Sequence, residues 1–162
     1  LLKDNQNDIK VQIANDNSEG QIVLSGKIEE LDKLIIILKE KSIKNIKLPV
    51  SAPFHCSLMS KATNIMSEEL NKLSFLQSKN KLISNVTANE IRDTDELKDL
   101  LIKQIENRVR WRESVINMIN NDVNHFIEIG PGKVLSGLVK RINREVKIST
   151  INNQGDIESL EI

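Results

Sequence analysis

An α/β fold is predicted for this chain by three observations. Short β-type runs alternate with helical runs along its length, Gly and Pro mark many of the joins, and no repeat or low-complexity linker interrupts the alternation. Ile9 to Ala14 alternates apolar and polar residues, as a half-buried strand does. The turn-rich stretch Asn15-Asp16-Asn17-Ser18-Glu19-Gly20 follows, and then a second strand from Gln21 to Ser25. Together they predict a hairpin whose loop is longer than the tightest kind. Gly26 breaks the strand. Lys27 to Lys41 reads as a helix with Ile28, Leu31, Leu34, Ile35 and Leu38 on one face. Ile43 to Val50 returns to strand, and Pro53 ends it.

The second part repeats the alternation without repeating the sequence. Ser57 to Phe75 is predicted helical, with Leu58, Ile65, Met66 and Leu70 on one side. Lys81 to Val86 reads as a strand, Thr94 to Glu106 and Trp111 to Asn120 as helices, and His125 to Ile129 as a short buried strand. After Gly130-Pro131-Gly132 a helix runs to about Asn143, and Val146 to Ile151 closes as a last strand. The internal boundary is expected near Pro49 to Pro53. It separates a small β-rich unit, 1–50, from a larger α/β unit, 51–162.

Composition narrows the function classes. A chain of 162 residues is long enough to bury a core, and 39% hydrophobic with 28% charged residues is globular rather than disordered. The 23 basic and 23 acidic residues leave no net field to draw it to nucleic acid or to an anionic membrane. Lys140, Arg141 and Arg144 cluster late and read as a solvated helix face, with docking of a phosphate-bearing partner as the alternative. Cys56 is the only cysteine, which excludes a disulfide framework and a cysteine zinc site and fits a reducing, cytoplasmic compartment. The longest apolar run, Leu34 to Leu38, is far too short to span a bilayer, and no signal segment opens the chain. Leu1 and Leu2, in place of an initiator Met, lead us to expect that further sequence precedes it.

Few residues have the chemistry for a site. His55 follows the extended segment Leu48 to Phe54 and directly precedes a helix, a junction from which side chains project into clefts. An imidazole there could act as general base; a structural or simply exposed histidine is the competing account. Cys56 beside it reads as a small buried hydrophobe, because neighbours in an extended segment point to opposite faces. Glu128-Ile129-Gly130-Pro131-Gly132-Lys133 is a strand end, a tight turn and a helix start. It lacks both the G-x-x-x-x-G-K-S/T and the G-x-G-x-x-G spacing, so a turn that packs a helix close to a sheet is the simpler account. G-x-S-x-G, which exposes a serine nucleophile, is absent from the sequence. His125 sits in an apolar strand and no two-histidine helix motif exists, so no metal site is expected.

Four segments, in order, resemble the malonyl-CoA:acyl-carrier-protein transacylases of type II fatty-acid synthesis. Asn15 to Gly26 is similar to the hairpin of that family, and Leu48 to Met59 to its catalytic-histidine segment. Gln104-Ile105 through Val109-Arg110-Trp111, and Glu128 through Leu138, match its two later motifs. Glu19 stands where the hairpin proline is usual, and Arg108 where a proline precedes Val109. The resemblance covers nearly the whole chain but corresponds to the C-terminal half of the family. The nucleophile elbow, the arginine that grips the malonyl carboxylate and the oxyanion-hole glutamine lie upstream in relatives.

The resemblance implies part of an α/β-hydrolase-like acyltransferase subdomain joined to part of a small ferredoxin-like subdomain. It implies transfer of malonyl from malonyl-CoA to the phosphopantetheine thiol of acyl-carrier protein through a malonyl-serine, with malonyl-CoA as substrate and no bound cofactor. His55 is then the general base and acid, and the backbone carbonyl of Gln104 orients it. Phe54 would exclude an added methyl at the substrate α-carbon, with core packing as the other account of its ring. Asn17 and Gln21 would line the pantetheine arm, unless they only stabilise the hairpin. The implied partners are acyl-carrier protein, a coenzyme A thioester and the N-terminal half of the same enzyme. A split or decayed fragment that at most binds acyl-carrier protein is the alternative, and a generic α/β ligand-binding module is a third. Without strands from an N-terminal half, Ile83, Phe126 and Ile127 are expected on exposed apolar surface.

Overall fold

Residues 10–160 are described in the computed structural model of the chain. Ile9, expected to open the first strand, lies outside them, as do residues 1–8 and 161–162 of the two expected units. The first described elements form an antiparallel hairpin of β1 (Val11–Ser18) and β2 (Gln21–Gly26). Ser18 pairs with Gln21, so only Glu19 and Gly20 form the turn, and Gly20 takes a left-handed φ of 72°. The longer loop expected over Asn15 to Gly20 is therefore corrected. Asn, Asp and Ser favour turns because their side chains compete locally for the backbone. Here Asp16 and Ser18 are buried, at 6% and 2% exposure, and two register shifts along the hairpin accommodate them.

The outer edge of β1 is bonded to the chain entering a later helix. Val109 N–H donates to Ala14 O at 2.8 Å, and Asp16 N–H donates to Val109 O at 2.9 Å. Arg112 then places its guanidinium on the Asp16 carboxylate through two bonds, at 3.0 and 2.8 Å. Such a fork satisfies a carboxylate that would otherwise be costly to bury.

Helix α1 (Ile28–Glu40) packs against β2 through Leu34 and carries Glu29 and Glu30 in its first turn and Lys39 in its last, which suits the helix dipole. Ile43 to Val50, expected as a strand, forms none. Its residue types favour a strand, but a strand needs a hydrogen-bonded neighbour. None of the described residues supplies one, and Ile43, Ile46, Leu48 and Val50 are exposed. A 3₁₀ turn, Ser57–Met59, leads into α2 (Ser60–Asn71), shorter than the helix expected to Phe75. Lys81 to Val86 is likewise a loop, with a single bridge between Ile83 and Glu90. The Ser84 hydroxyl accepts the N–H groups of Val86 and Thr87 and closes a turn where a ladder was expected.

Helix α3 (Thr94–Lys103) is capped by Asp93, whose side chain accepts Glu96 N–H, and it stops three residues before the expected Glu106. Helix α4 spans Trp111–Asn120 as predicted. The last part is a β-α-β unit: β3 (His125–Ile129), α5 (Val134–Ile142) and β4 (Lys147–Ile151), the strands parallel with His125 opposite Lys147 and Ile129 opposite Ile151. A short α6 (Gln154–Glu158), not anticipated, opens with a capping box between Asn153 and Asp156. The described residues thus form a mixed α/β fold with two separate two-stranded sheets. Their shared core gathers Ala14 of β1, Val109, Val115 of α4, and Leu138 and Val139 of α5. Ile127 is exposed as expected and Ile129 stands 79% open, whereas Ile83 and Phe126 are half-buried.

Candidate catalytic histidine site

Pro53 closes the extended segment, and His55 then adopts a left-handed backbone with φ of 58°. That conformation costs an L-residue about 1–2 kcal/mol and, away from glycine, tends to mark a site where surrounding structure over-determines the chain. The kink lets Phe54 remain 50% exposed while Cys56, two residues on, is 1% exposed. Cys56 Sγ lies against the Pro53 carbonyl at 3.1 Å and accepts from Ser25 Oγ at 3.6 Å. It is the buried small side chain expected of it, and it anchors the histidine segment to β2.

The half-buried His55 ring directs Nδ1 at the backbone oxygen of Gln104, 2.8 Å away. A carbonyl only accepts, so Nδ1 carries the proton of the neutral ring and Nε2 keeps its lone pair. Gln104 terminates α3: its N–H donates to Leu100 O at 3.0 Å, and its carbonyl belongs to the last turn, whose acceptors lack intrahelical donors. The helix end therefore presents a ready acceptor at its negative pole. The Gln104 side chain is held separately, by Asn85 Nδ2 at 3.3 Å.

The other expected residues are distributed around this pair. Phe54 adjoins His55 in the chain. Asn17 is half-buried near the end of β1, and Gln21 opens β2, where its carboxamide oxygen accepts from Arg141 of α5. Neither bonds to His55 or Gln104. Lys140, Arg141 and Arg144 are exposed.

The Gly130-Pro131-Gly132 turn is occupied by the protein itself. The Glu128 carboxylate accepts Leu135 N–H at 3.1 Å and Ser136 N–H at 2.7 Å, filling the position an anion would take at the start of α5. Gly132 N–H donates to Asn152 Oδ1 at 2.7 Å, and Gly130 N–H to Ile151 O at 2.9 Å. Both glycines have positive φ, 134° and 97°. The adjacent Ser136 hydroxyl and the backbone N–H groups of Ser136 and Leu135 hold the Glu128 carboxyl below the usual carboxylate range. The turn joins sheet to helix, as its spacing implied.

His125 Nε2 meets Ser149 Oγ across the parallel strands at 2.9 Å. Among the described residues, no group of three or more His, Cys, Asp or Glu is placed to hold a metal ion, and no helix is long and apolar enough to cross a membrane.

Some of the residues that build the site were not anticipated. Gln12 on β1 accepts Ser57 N–H at 2.8 Å and donates to Ser57 Oγ at 3.1 Å. Asn85 and the Asp16–Arg112 pair were also missed. A polar residue on the solvent face of a strand carries no sequence signal for a partner 45 positions away.

No family model matches the chain. A malonyl CoA-acyl carrier protein transacylase of Bacillus subtilis is 41% identical over 149 residues, 91% of this chain and 47% of the relative. The crystal structure of malonyl CoA-acyl carrier protein transacylase from Clostridium perfringens superposes with a TM-score of 0.91 at 39% identity, over 98% of this chain and 50% of that one. A malonyl-transacylase solved in complex with its type II PKS acyl-carrier protein gives a TM-score of 0.90 at 30% identity, over 97% and 51%. The chain spans about half the length of the curated relatives it matches. By sequence and by fold alike, the chain is similar to about half of a malonyl CoA-acyl carrier protein transacylase.

Proposed function

We propose that this chain carries the histidine half of an acyltransferase. The whole enzyme moves malonyl from malonyl-CoA to the phosphopantetheine thiol of acyl-carrier protein in fatty-acid synthesis. One observation carries this above the others: His55, kinked into a left-handed backbone, donates its Nδ1–H to the Gln104 carbonyl at 2.8 Å and leaves Nε2 as a base.

The serine comes from the remaining half of the enzyme. Nε2 takes the serine proton as the serine oxygen bonds to the thioester carbon, and it returns that proton to the sulfur as the carbon–sulfur bond breaks and coenzyme A leaves. In the second half-reaction Nε2 takes the proton of the carrier thiol, which attacks the malonyl-serine, and hands it back to the departing serine oxygen. The Gln104 carbonyl holds the ring in the required tautomer and stabilises the transient imidazolium, the part an aspartate plays in a Ser-His-Asp arrangement. No cofactor is needed. Phe54, exposed beside the histidine, faces the substrate α-carbon, and Asn17 and Gln21 line the pantetheine arm. The relative solved with its acyl-carrier protein supports that partner. On this reading residues 1–50 are part of a ferredoxin-like subdomain and 51–162 part of an α/β-hydrolase-like one, and the reaction is cytoplasmic.

Intact-mass spectrometry after incubation with malonyl-CoA tests the proposal. The expected result is no adduct on this chain alone and a malonyl adduct on a supplied N-terminal half when the two are mixed. An adduct on this chain alone would show that it carries its own nucleophile and would overturn the assignment.

A further inference from the structure

Strand β1 grips both sides of the histidine–carbonyl pair, although neither residue lies on it. Near its start, Gln12 clamps Ser57, two residues past His55, through Ser57 N–H to Oε1 at 2.8 Å and Nε2 to Ser57 Oγ at 3.1 Å. Farther along, Ala14 and Asp16 bond both backbone groups of Val109, in the segment that follows Gln104, and Asp16 holds Arg112. One paired strand therefore sets the distance between the segment that carries the imidazole and the segment that carries its acceptor.

The left-handed backbone at His55 needs such anchors. Its φ of 58° is one that a residue with a Cβ avoids unless its neighbours are held. On its C-terminal side the holds are the buried Cys56 and the clamped Ser57. The Gln12 carboxamide uses its acceptor and its donor on one residue, which fixes Ser57 in position and rotation together.

We infer that Gln12 is a positioning residue for His55: by fixing Ser57 it keeps Nδ1–H on the Gln104 carbonyl and Nε2 free for proton transfer. This deepens the proposed function and rests on it for the kinetic readout, whereas the state of the ring is read independently of turnover.

The test uses this chain assembled with its N-terminal half. Histidine-selective ¹⁵N NMR reports the tautomer of His55, separated from His125 by a His125→Gln variant. Steady-state kinetics with malonyl-CoA supply kcat and KM. In the unsubstituted assembly His55 is a single Nδ1–H tautomer. Gln12→Leu, which removes both bonds, is expected to mix the tautomers and to lower kcat about tenfold while KM stays within about twofold, as misorientation of a catalytic group does. Gln12→Asn, too short to reach Ser57, shows the same change in smaller measure. Gln12→Glu keeps an acceptor for Ser57 N–H and Oγ–H and restores the single tautomer. Glu128→Gln weakens the cap of α5 and serves as a control for general loosening; it leaves the tautomer unchanged. A single Nδ1–H tautomer and an unchanged kcat in Gln12→Leu would overturn the inference. Equal mixing in Glu128→Gln would overturn it too. Should the unsubstituted assembly transfer no malonyl, the proposed function fails, and the tautomer comparison still decides the role of Gln12.

Discussion

The partner that His55 finds for Nδ1 is a carbonyl rather than a carboxylate. A carboxylate brings full charge and a second lone-pair oxygen; the Gln104 carbonyl brings a fixed direction, because a helix end holds it. Phe54, the residue before it, tests the specificity that the resemblance implies. In the completed enzyme, Phe54→Ser should raise the kcat/KM for methylmalonyl-CoA relative to malonyl-CoA by roughly tenfold or more, since accommodating one extra methyl is worth about 1–3 kcal/mol. Competition between the two thioesters measures it, and an unchanged ratio would assign the ring to packing alone. Arg108, which the resemblance sets at a proline position, joins its guanidinium to that of Arg110 on Glu113. The hydrogen bonds from Arg110, with the nearby Arg108 and Arg112 charges, keep the Glu113 carboxyl below its ordinary range.

Among the elements, β1 and α5 show how polar residues are held in regular structure. Asn15 to Ser18 have the composition of a loop yet form the end of a strand, because Asp16 finds Arg112 and its backbone finds Val109. Arg112→Ala strands the Asp16 carboxylate at 6% exposure and should cost about 1–3 kcal/mol. Adding Asp16→Leu should recover part of that loss in a double-mutant cycle read by chemical denaturation. For α5 the cap is Glu128. Its folded pKa is depressed, so its contribution is present above the ordinary carboxylate range and is lost as pH falls through the depressed value. Melting temperature between pH 7 and pH 3 should therefore fall less steeply in Glu128→Gln than in the unsubstituted chain, and parallel curves would remove Glu128 from the acid response.

At the scale of the whole molecule, the described residues leave much apolar surface open. Among the described residues the strands form two separate two-stranded sheets, and the exposed apolar side chains include Ile46, Val50, Leu76, Ile129 and Val134. A parallel pair such as β3–β4 is ordinarily covered on both faces. Alone, the chain should melt broadly or aggregate, and calorimetry with light scattering should show a sharper, higher transition once an N-terminal half is added. A sharp, reversible monomeric melt of the isolated chain would mean that the described residues bury enough surface by themselves.

Local order was legible in the sequence wherever it depends on neighbours a few residues away. The periodicity of α1 and α4, the hairpin, the β3–α5–β4 unit, the buried Cys56 and the architectural glycine turn all follow from residue types at short spacing. His55 could be singled out by its junction. The carbonyl of Gln104 came only from the resemblance, since a backbone acceptor leaves no mark on side-chain identity. The tertiary structure alone decided that Asn15 to Ser18 extend β1, while Ile43 to Val50 and Lys81 to Val86 do not become strands. It alone brought Gln12 to Ser57, across 45 positions, and it sets His55 Nδ1 against the Gln104 oxygen across 49. A helix closes its hydrogen bonds within itself, so its sequence foretold the longer helices, though not the ends of α2 and α3 or the short α6. A strand, or a catalytic pair, exists only when a distant segment of chain arrives to complete it.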